Sequence, residues 1–301
     1  MTTHPPLDKK DRAVRGLAIG QVTHDRYDGA IVPGGCAFYG AKTWQSLGAE
    51  VKLVTAVGAD FQCHAELEQG IEVCQTIGDY TTVFTNTYPE DGPRIQWVEK
   101  TAPRLEPGPW ARESFDVAFL APVFGEMELD KWRSAVGAKV VGLGLQGFLK
   151  KAGGAHPTDA TVREVVANGF EIIPEDFEGI DAVFFSEEDI AVFANEDLVR
   201  TLKRLVPLVV MTQGEKGSMV FHSQETFRIG VAPPSRVIDP TGAGDTFAAA
   251  FLFGMALELN PLDAGRLAAA AASIVVEGQG GECLDRVAEA WDRMQSVPIQ
   301  L

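Results

Sequence analysis

Short apolar runs alternate with segments of helical spacing along most of this chain. "VRGLAIG" (14–20), "VKLVTAVG" (51–58) and "IEVCQTI" (71–77) are apolar runs bounded by glycine or charge, and each predicts a strand. Between them, "CAFYGAKTWQSLGA" (36–49) steps its apolar residues by three or four and stops at Gly48. "ADFQCHAELEQG" (59–70) predicts an amphipathic helix closed by Gly70. Further strands are expected near 116–121, 139–144, 181–186 and 207–212, with helices between them. "TVREVVANG" (161–169) reads as helical. Two apolar helices, about 243–257 and 262–277, and an amphipathic one over about 285–296 close the chain. Strand and helix in alternation predict an α/β sheet with crossover helices.

Two stretches break the rhythm. "YTTVFTNTY" and "RIQWVEKT" are rich in Thr, Val, Ile and aromatics and flank "PEDGP", which predicts a hairpin over 80–101. With residues 21–33 it could form a small sheet projecting from the body. "GSMVFHSQETFRIG" (217–230) predicts a second hairpin.

Composition narrows the setting. The chain has 301 residues, 46% hydrophobic and 23% charged, as in an ordinary globular protein. One domain over 14–299 is expected, with 1–13 as a tail. The formal net charge of −16 argues against nucleic acid and anionic membranes as partners. The four cysteines, Cys36, Cys63, Cys74 and Cys283, form no C-x-x-C pair and fit no zinc spacing. They read as reduced thiols, and residues 1–16 carry no apolar signal core. A cytoplasmic setting is the expectation.

The chemistry concentrates at "DPTGAGDTFAAAF" (239–251). Gly242, Ala243 and Gly244 leave an anion room to approach the unpaired N–H groups at the start of an apolar helix. Asp245 then lies in the first turn, beside that anion. A carboxylate there would repel a phosphate, a poor arrangement for binding alone. It makes sense if it must take a proton from a hydroxyl that attacks phosphorus. The bland alternative is a turn followed by a dipole-satisfying aspartate.

This stretch resembles the second signature of the ribokinase-like (PfkB) carbohydrate kinases. "PGGCAFYGAKTWQSLGAEVKLVTAVGADF" (33–61) is similar to the family's first signature, and "VVMTQGEKGSMVF" (209–221) to its nucleotide-side segment. The resemblance runs through nearly the whole chain in the right order. It implies a three-layer α/β/α sandwich with a small β-sheet lid, from about 21–33 and 80–101. It implies transfer of the γ-phosphate of ATP, with Mg2+, to a hydroxyl of a sugar or polyol, and makes a homodimer through the lid plausible. Residue by residue, it makes Asp245 the base and the backbone of Gly242, Ala243 and Gly244 the anion hole. Gly34 and Gly35 become the lid hinge, with their backbone approaching the substrate, and Asp25 a ligand of substrate hydroxyls. Thr212, Gly214 and Gly217 would lie along the nucleotide, with Ala272 and Ser273 walling the adenine. The family's Asn-x-x-Glu metal motif appears as Ser186-Glu187-Glu188-Asp189, so Glu188 and Asp189 are the metal candidates. Asp239 is assigned the turn itself or a monovalent cation such as K+.

"GQVTHDRY" (20–27), the 81–102 hairpin, "APVFGEME" (121–128) and "GLQGFLK" (144–150) resemble the inositol-kinase-like branch. That resemblance turns Asp25, Asn86, Arg94, Glu126 and Gln146 toward a polyol, while His24 reads as structural. Other readings stay open: a nucleoside kinase, or a non-catalytic sensor on the same fold. Gly142-x-Gly144-x-x-Gly147 offers a remote alternative, a dinucleotide-dependent oxidoreductase, which requires a crossover helix directly after Gly147.

Overall fold

A computed structural model describes residues 13–27, 30–87, 95–194 and 196–300. Sixteen strands are described: β1 (Arg15–Ile19), β2 (Thr23–Tyr27), β3 (Ala30–Gly34), β4 (Glu50–Gly58), β5 (Glu72–Gly78), β6 (Thr82–Thr87), β7 (Ile95–Lys100), β8 (Phe115–Leu120), β9 (Ala138–Gly144), β10 (Lys150–His156), β11 (Asp159–Ala167), β12 (Ala182–Ser186), β13 (Leu208–Thr212), β14 (Ser218–His222), β15 (Glu225–Ile229) and β16 (Ile299–Gln300). The helices are α1 (Cys36–Ser46), α2 (His64–Glu68), α3 (Leu129–Ala135), α4 (Gln146–Leu149), α5 (Glu187–Phe193), α6 (Glu196–Leu205), α7 (Ala243–Ala256), α8 (Pro261–Val275) and α9 (Ala290–Arg293).

Ten strands form the body sheet in the order β16-β15-β14-β13-β12-β9-β8-β1-β4-β5. From β13 to β5 the pairs are parallel, and β14 to β16 extend the edge antiparallel. The central strands are apolar on both faces because each face carries helices. In β1, Leu17 and Ile19 enter the core shared with α3, α5 and α6, while Ala18 enters the core under α1, α7 and α8. The result is the three-layer α/β sandwich, with the helices packed on two opposite faces.

Chain direction reverses at β1. The chain leaves β1 toward β4 on one side, whereas β8 leads to β9 on the other. A crevice opens at such a switch point, beyond the carboxyl ends of the two strands. The strand ends lie close there: Ala121 N–H donates to Ile19 O at 2.7 Å.

A second sheet of six strands, in the order β10-β11-β7-β6-β2-β3, stands beside this crevice. It is larger than the lid expected from the sequence. The stretch read as a helix, 161–169, belongs to β11 through Ala167, where it pairs with both β10 and β7. Its Thr161, Val162, Val165 and Val166 are β-branched, and pairing across the sheet overrode the apparent helical spacing. The same hairpin removes the dinucleotide reading. Gly147 lies inside the four-residue α4, β10 follows at once, and no crossover helix opens there. Gly142 instead admits Leu252 of α7 against the sheet.

Two helices shrank. The one expected over 59–70 is the five-residue α2. The one expected over 285–296 is a 3-10 turn (Leu284–Glu289), α9, and another 3-10 turn (Met294–Ser296). No helix among the described residues is long and apolar enough to cross a membrane.

Candidate active site

Two helix N-termini meet at the crevice. α7 starts after Gly242, whose left-handed φ of 76° only glycine adopts readily. A Cβ there would also strike the ring of Tyr39 from α1. α1 starts after Gly35, at φ 95°. Neither start carries a side-chain cap, so the first-turn N–H groups are not taken up by capping side chains. The structure trims the expected anion hole: Ala243 N–H turns back to Pro240 O at 3.1 Å. The amides of Gly242 and Gly244 have no such acceptor among the described residues.

Asp245 projects from the first turn of α7 and is half-buried. Burial lifts its pKa to about 6; a hydrogen bond from Cys36 and the charge of Lys150 oppose the rise, and the charges of Asp189 and Asp25 add to it. Burial also raises Asp25 to about 6, against the Thr23 hydroxyl that donates to it at 2.9 Å. The Asp25 carboxylate packs on Gly34, where any Cβ would collide with it. Cys36, the first residue of α1, is buried with its thiol held strongly toward the protonated form by burial and then by Asp245. Its Sγ lies 4.0 Å from Gln146 Oε1. Asp245, Asp25, Gln146 and the Gly34–Gly35 turn thus gather in one place.

Other candidates sit differently. Glu126 is 3% exposed, and backbone N–H groups of Gln21, Val123 and Phe124 donate to its two oxygens at 2.8–3.0 Å. It braces the ends of β1 and β8, and the substrate role expected of it is withdrawn. Asn86 lies in β6, and Arg94 falls outside the described residues. His24 is structural: it stacks on Phe61 and accepts from Gln62 N–H. Asp239 accepts from Thr241 and Gly280 N–H, both at 2.9 Å, and so ties the turn.

Along the expected nucleotide path, Thr212 ends β13, and Gly214 and Gly217 both take positive φ in the turn to β14. Val237 and Ile238 are exposed apolar residues before the 239–245 turn. Ala272 is half-buried on α8. Ser273 faces elsewhere: its hydroxyl donates to Ala270 O and accepts from Arg293 at 3.1 Å, beside Glu277.

The altered metal motif forms a capping box. Ser186 Oγ accepts from Asp189 N–H at 2.9 Å, and Asp189 Oδ2 accepts from Ser186 N–H at 3.0 Å and from its hydroxyl at 2.7 Å. Glu188 is exposed, while Glu187 pairs with Lys216. Among the described residues no three His, Cys, Asp or Glu side chains converge as a metal cluster. Magnesium needs only one or two carboxylates with water completing its shell. Asp189, whose charge is felt at Asp245, fits that need with its remaining oxygen.

Lys150 was not singled out in the sequence. It is 3% exposed, yet its charge is felt by both Asp245 and Cys36. The signal was present as the last residue of "GLQGFLK" (144–150).

The chain is similar to several known kinases. The pfkB family carbohydrate kinase profile matches residues 168–285. A ribokinase of Lactococcus lactis is 34% identical over 36% of this chain and 36% of its own. A cytidine kinase of Thermococcus kodakarensis is 28% identical over 79% of this chain and 87% of its own. An inositol 3-kinase of Arabidopsis thaliana is 26% identical over 93% and 78%. Among solved structures, a pyrophosphate-dependent kinase in the ribokinase family, complexed with a pyrophosphate analog and myo-inositol, superposes with a TM-score of 0.72. It shares 21% identity, over 92% of this chain and 99% of that one.

Proposed function

We propose that this chain, whose residues 168–285 match the pfkB family carbohydrate kinase profile, is a kinase of that family that phosphorylates a hydroxyl of an inositol, sugar or related polyol, with ATP as donor. The observation that carries this reading is Asp245: a carboxylate raised to about 6, in the first turn of a helix that glycine begins. A pKa near 6 leaves it mostly ionised at neutral pH, yet basic enough to accept a proton.

Asp25 and Gln146 hold acceptor hydroxyls against the Gly34–Gly35 turn. Asp245 takes the proton of the attacking hydroxyl as its oxygen bonds to the γ-phosphorus. The bond from that phosphorus to the bridging oxygen breaks, and its electron pair leaves with ADP. The Gly242 and Gly244 amides hold the oxygens of the group in transit. Thr212, Gly214, Gly217 and Ala272 line the nucleotide. Asp189, with Glu188, would hold Mg2+, which supplies neutralising charge to the donor phosphates. The second sheet, closing over the acceptor, excludes water. Two chains paired through that sheet, acting in the cytoplasm, complete the proposal; sedimentation at graded concentration checks the pairing.

A coupled ADP-release assay over myo-inositol, other inositols, ribose, fructose and cytidine tests the reading, with phosphate release followed in parallel when pyrophosphate replaces ATP. Turnover of a polyol with ATP supports it. Turnover of cytidine alone would favour a nucleoside kinase, the second reading, which rests on the cytidine kinase likeness over most of both chains. No acceptor-dependent turnover with either donor would overturn it.

A further inference from the structure

β13 and β14 carry Met211 and Phe221 on one face of the body sheet, where Phe221 stands opposite Val209 in the register. All three pack with the core under α5 and α6, on the face away from α7 and α8. Met211 and Phe221 are only half-buried. Beside them α5 and α6 leave a recess of about 900 Å³, to which α5 contributes Ile190 and Ala191 and α6 contributes Val199. Small-molecule sites typically measure about 300–1,000 Å³.

The charges around this apolar lining are not those of the chain as a whole. The chain carries a net −16, yet α6 brings Arg200, Lys203 and Arg204 to the recess. Arg200 pairs with Asp197, one turn earlier. Among the described residues Lys203 and Arg204 have no carboxylate partner. Lys203 Nζ lies 4.3 Å from the centre of the Phe221 ring. Glu187 also lines the recess, but it already accepts from Gln213 at 2.9 Å and from Lys216 at 3.2 Å. The solvated face of an amphipathic helix accounts for basic residues that point to water. It does not account for basic residues that ring an apolar hollow, one of them with its ammonium against an aromatic floor.

An anion with an apolar body satisfies both features. Its body covers Met211 and Phe221, and its charge meets Lys203 and Arg204. We propose that the recess between α5 and α6 is a second ligand site, separate from the crevice, for a small organic anion with an aromatic or aliphatic body. Its position gives an occupant a hold on the donor side. Ile190 and Ala191 share α5 with Asp189, Met211 precedes Thr212, and Glu187 joins α5 to the 213–216 turn. Resting on the kinase reading, an occupant of the recess shifts the affinity for ATP.

The probe is anilinonaphthalene sulfonate, an anion on an aromatic body, beside its uncharged analogue N-phenylnaphthylamine. The wild type should bind the sulfonate saturably, one molecule per chain, with a rise in dye fluorescence. Lys203 and Arg204 are exposed, so K203A/R204A should fold. That variant should weaken sulfonate binding about tenfold or more, as loss of bonds to a charged group would, and binding of the uncharged analogue by less than about threefold. A191W, which fills the recess from an exposed position on α5, should abolish binding of both dyes. Near-UV circular dichroism checks that both variants keep the native fold. No saturable binding by the wild type, unchanged sulfonate affinity in K203A/R204A, or unchanged binding in A191W would each overturn the site. Calorimetric titration should show ATP affinity moved about fivefold by saturating sulfonate in the wild type and unmoved in A191W. A shift that persists in A191W, or no shift in the wild type, would overturn the link to the donor side. A wild type inert toward every acceptor would defeat the kinase reading, while the dye titrations still judge the recess.

Discussion

Two carboxylates, half-buried Asp245 in the crevice and fully buried Glu277 behind α8, are treated in opposite ways. Glu277 is 1% exposed and surrounded by donors: Ser235 N–H at 2.8 Å, Arg293 at 2.7 Å and Arg286 at 2.9 Å. Burial pushes its pKa up, but these hydrogen bonds outweigh that and hold it at about 2. Asp245 keeps fewer donors and more like charge, so burial carries it to about 6. A carboxylate used for structure is saturated with partners. The proton-transfer role proposed for Asp245 requires it to keep an oxygen for a substrate, with the fold bearing the desolvation.

The largest break in that comparison is Asp245→Asn. It should lower kcat by about 1,000-fold, the scale of a lost general base, while nucleotide affinity by calorimetry stays within a few-fold. Near-wild-type kcat would end the assignment of Asp245. Glu277→Gln should do the reverse. It should cost about 3 kcal/mol of stability, read from the fall from 4.5 to about 2, while kcat per folded molecule holds in a denaturation series. If activity falls with stability intact, Glu277 belongs to the site.

pH sharpens the contrast, because the two shifts have opposite sign. Asp245 and Asp25 are raised from 3.8 to about 6, so their contribution is fully present below about pH 4 and is lost as pH rises through 6. Asp245→Asn should therefore be more stable than wild type at pH 8, by about 1–3 kcal/mol, with the gap closing toward pH 4. Glu277 is lowered, so its contribution is present above about pH 4.5 and is lost as pH falls toward 2. Wild-type kcat/KM should fall on the acid side of about pH 6, where Asp245 takes its own proton. An acid limb below pH 4.5 would deny Asp245 the raised pKa. The smallest effect is expected from Ser186→Ala, which removes the hydroxyl from the α5 cap. It should cost about 1 kcal/mol, and Mg2+ dependence of turnover should move little if Asp189 holds the ion by its other oxygen.

Much of the fold was legible because parallel, doubly covered strands leave continuous apolar runs, as in β4, β8 and β12. β10 and β11 were not, since a strand exposed on one side can show helical spacing over a few residues, and its pairing with β7 is a nonlocal event. Within the site, the 239–245 turn was readable from glycine and aspartate types alone. Glu126 was misread because residue type does not reveal that a carboxylate is consumed by amides of Gln21, Val123 and Phe124. Lys150 was passed over because a lysine at the end of an apolar run reads as an exposed terminus.

By itself the sequence determined the strand and helix alternation, the glycine-started α7 and the position of Asp245 in its first turn. These follow from local rules: side-chain periodicity, backbone freedom at glycine and the unpaired amides of a helix start. Only the tertiary structure decided that Asp25, Cys36 and Gln146 converge on that turn, and that Asp245 and Glu277 part company in their acidity. Convergence depends on long-range pairing, and acidity on which donors and charges packing brings within reach. Neither quantity is written in any one stretch of chain.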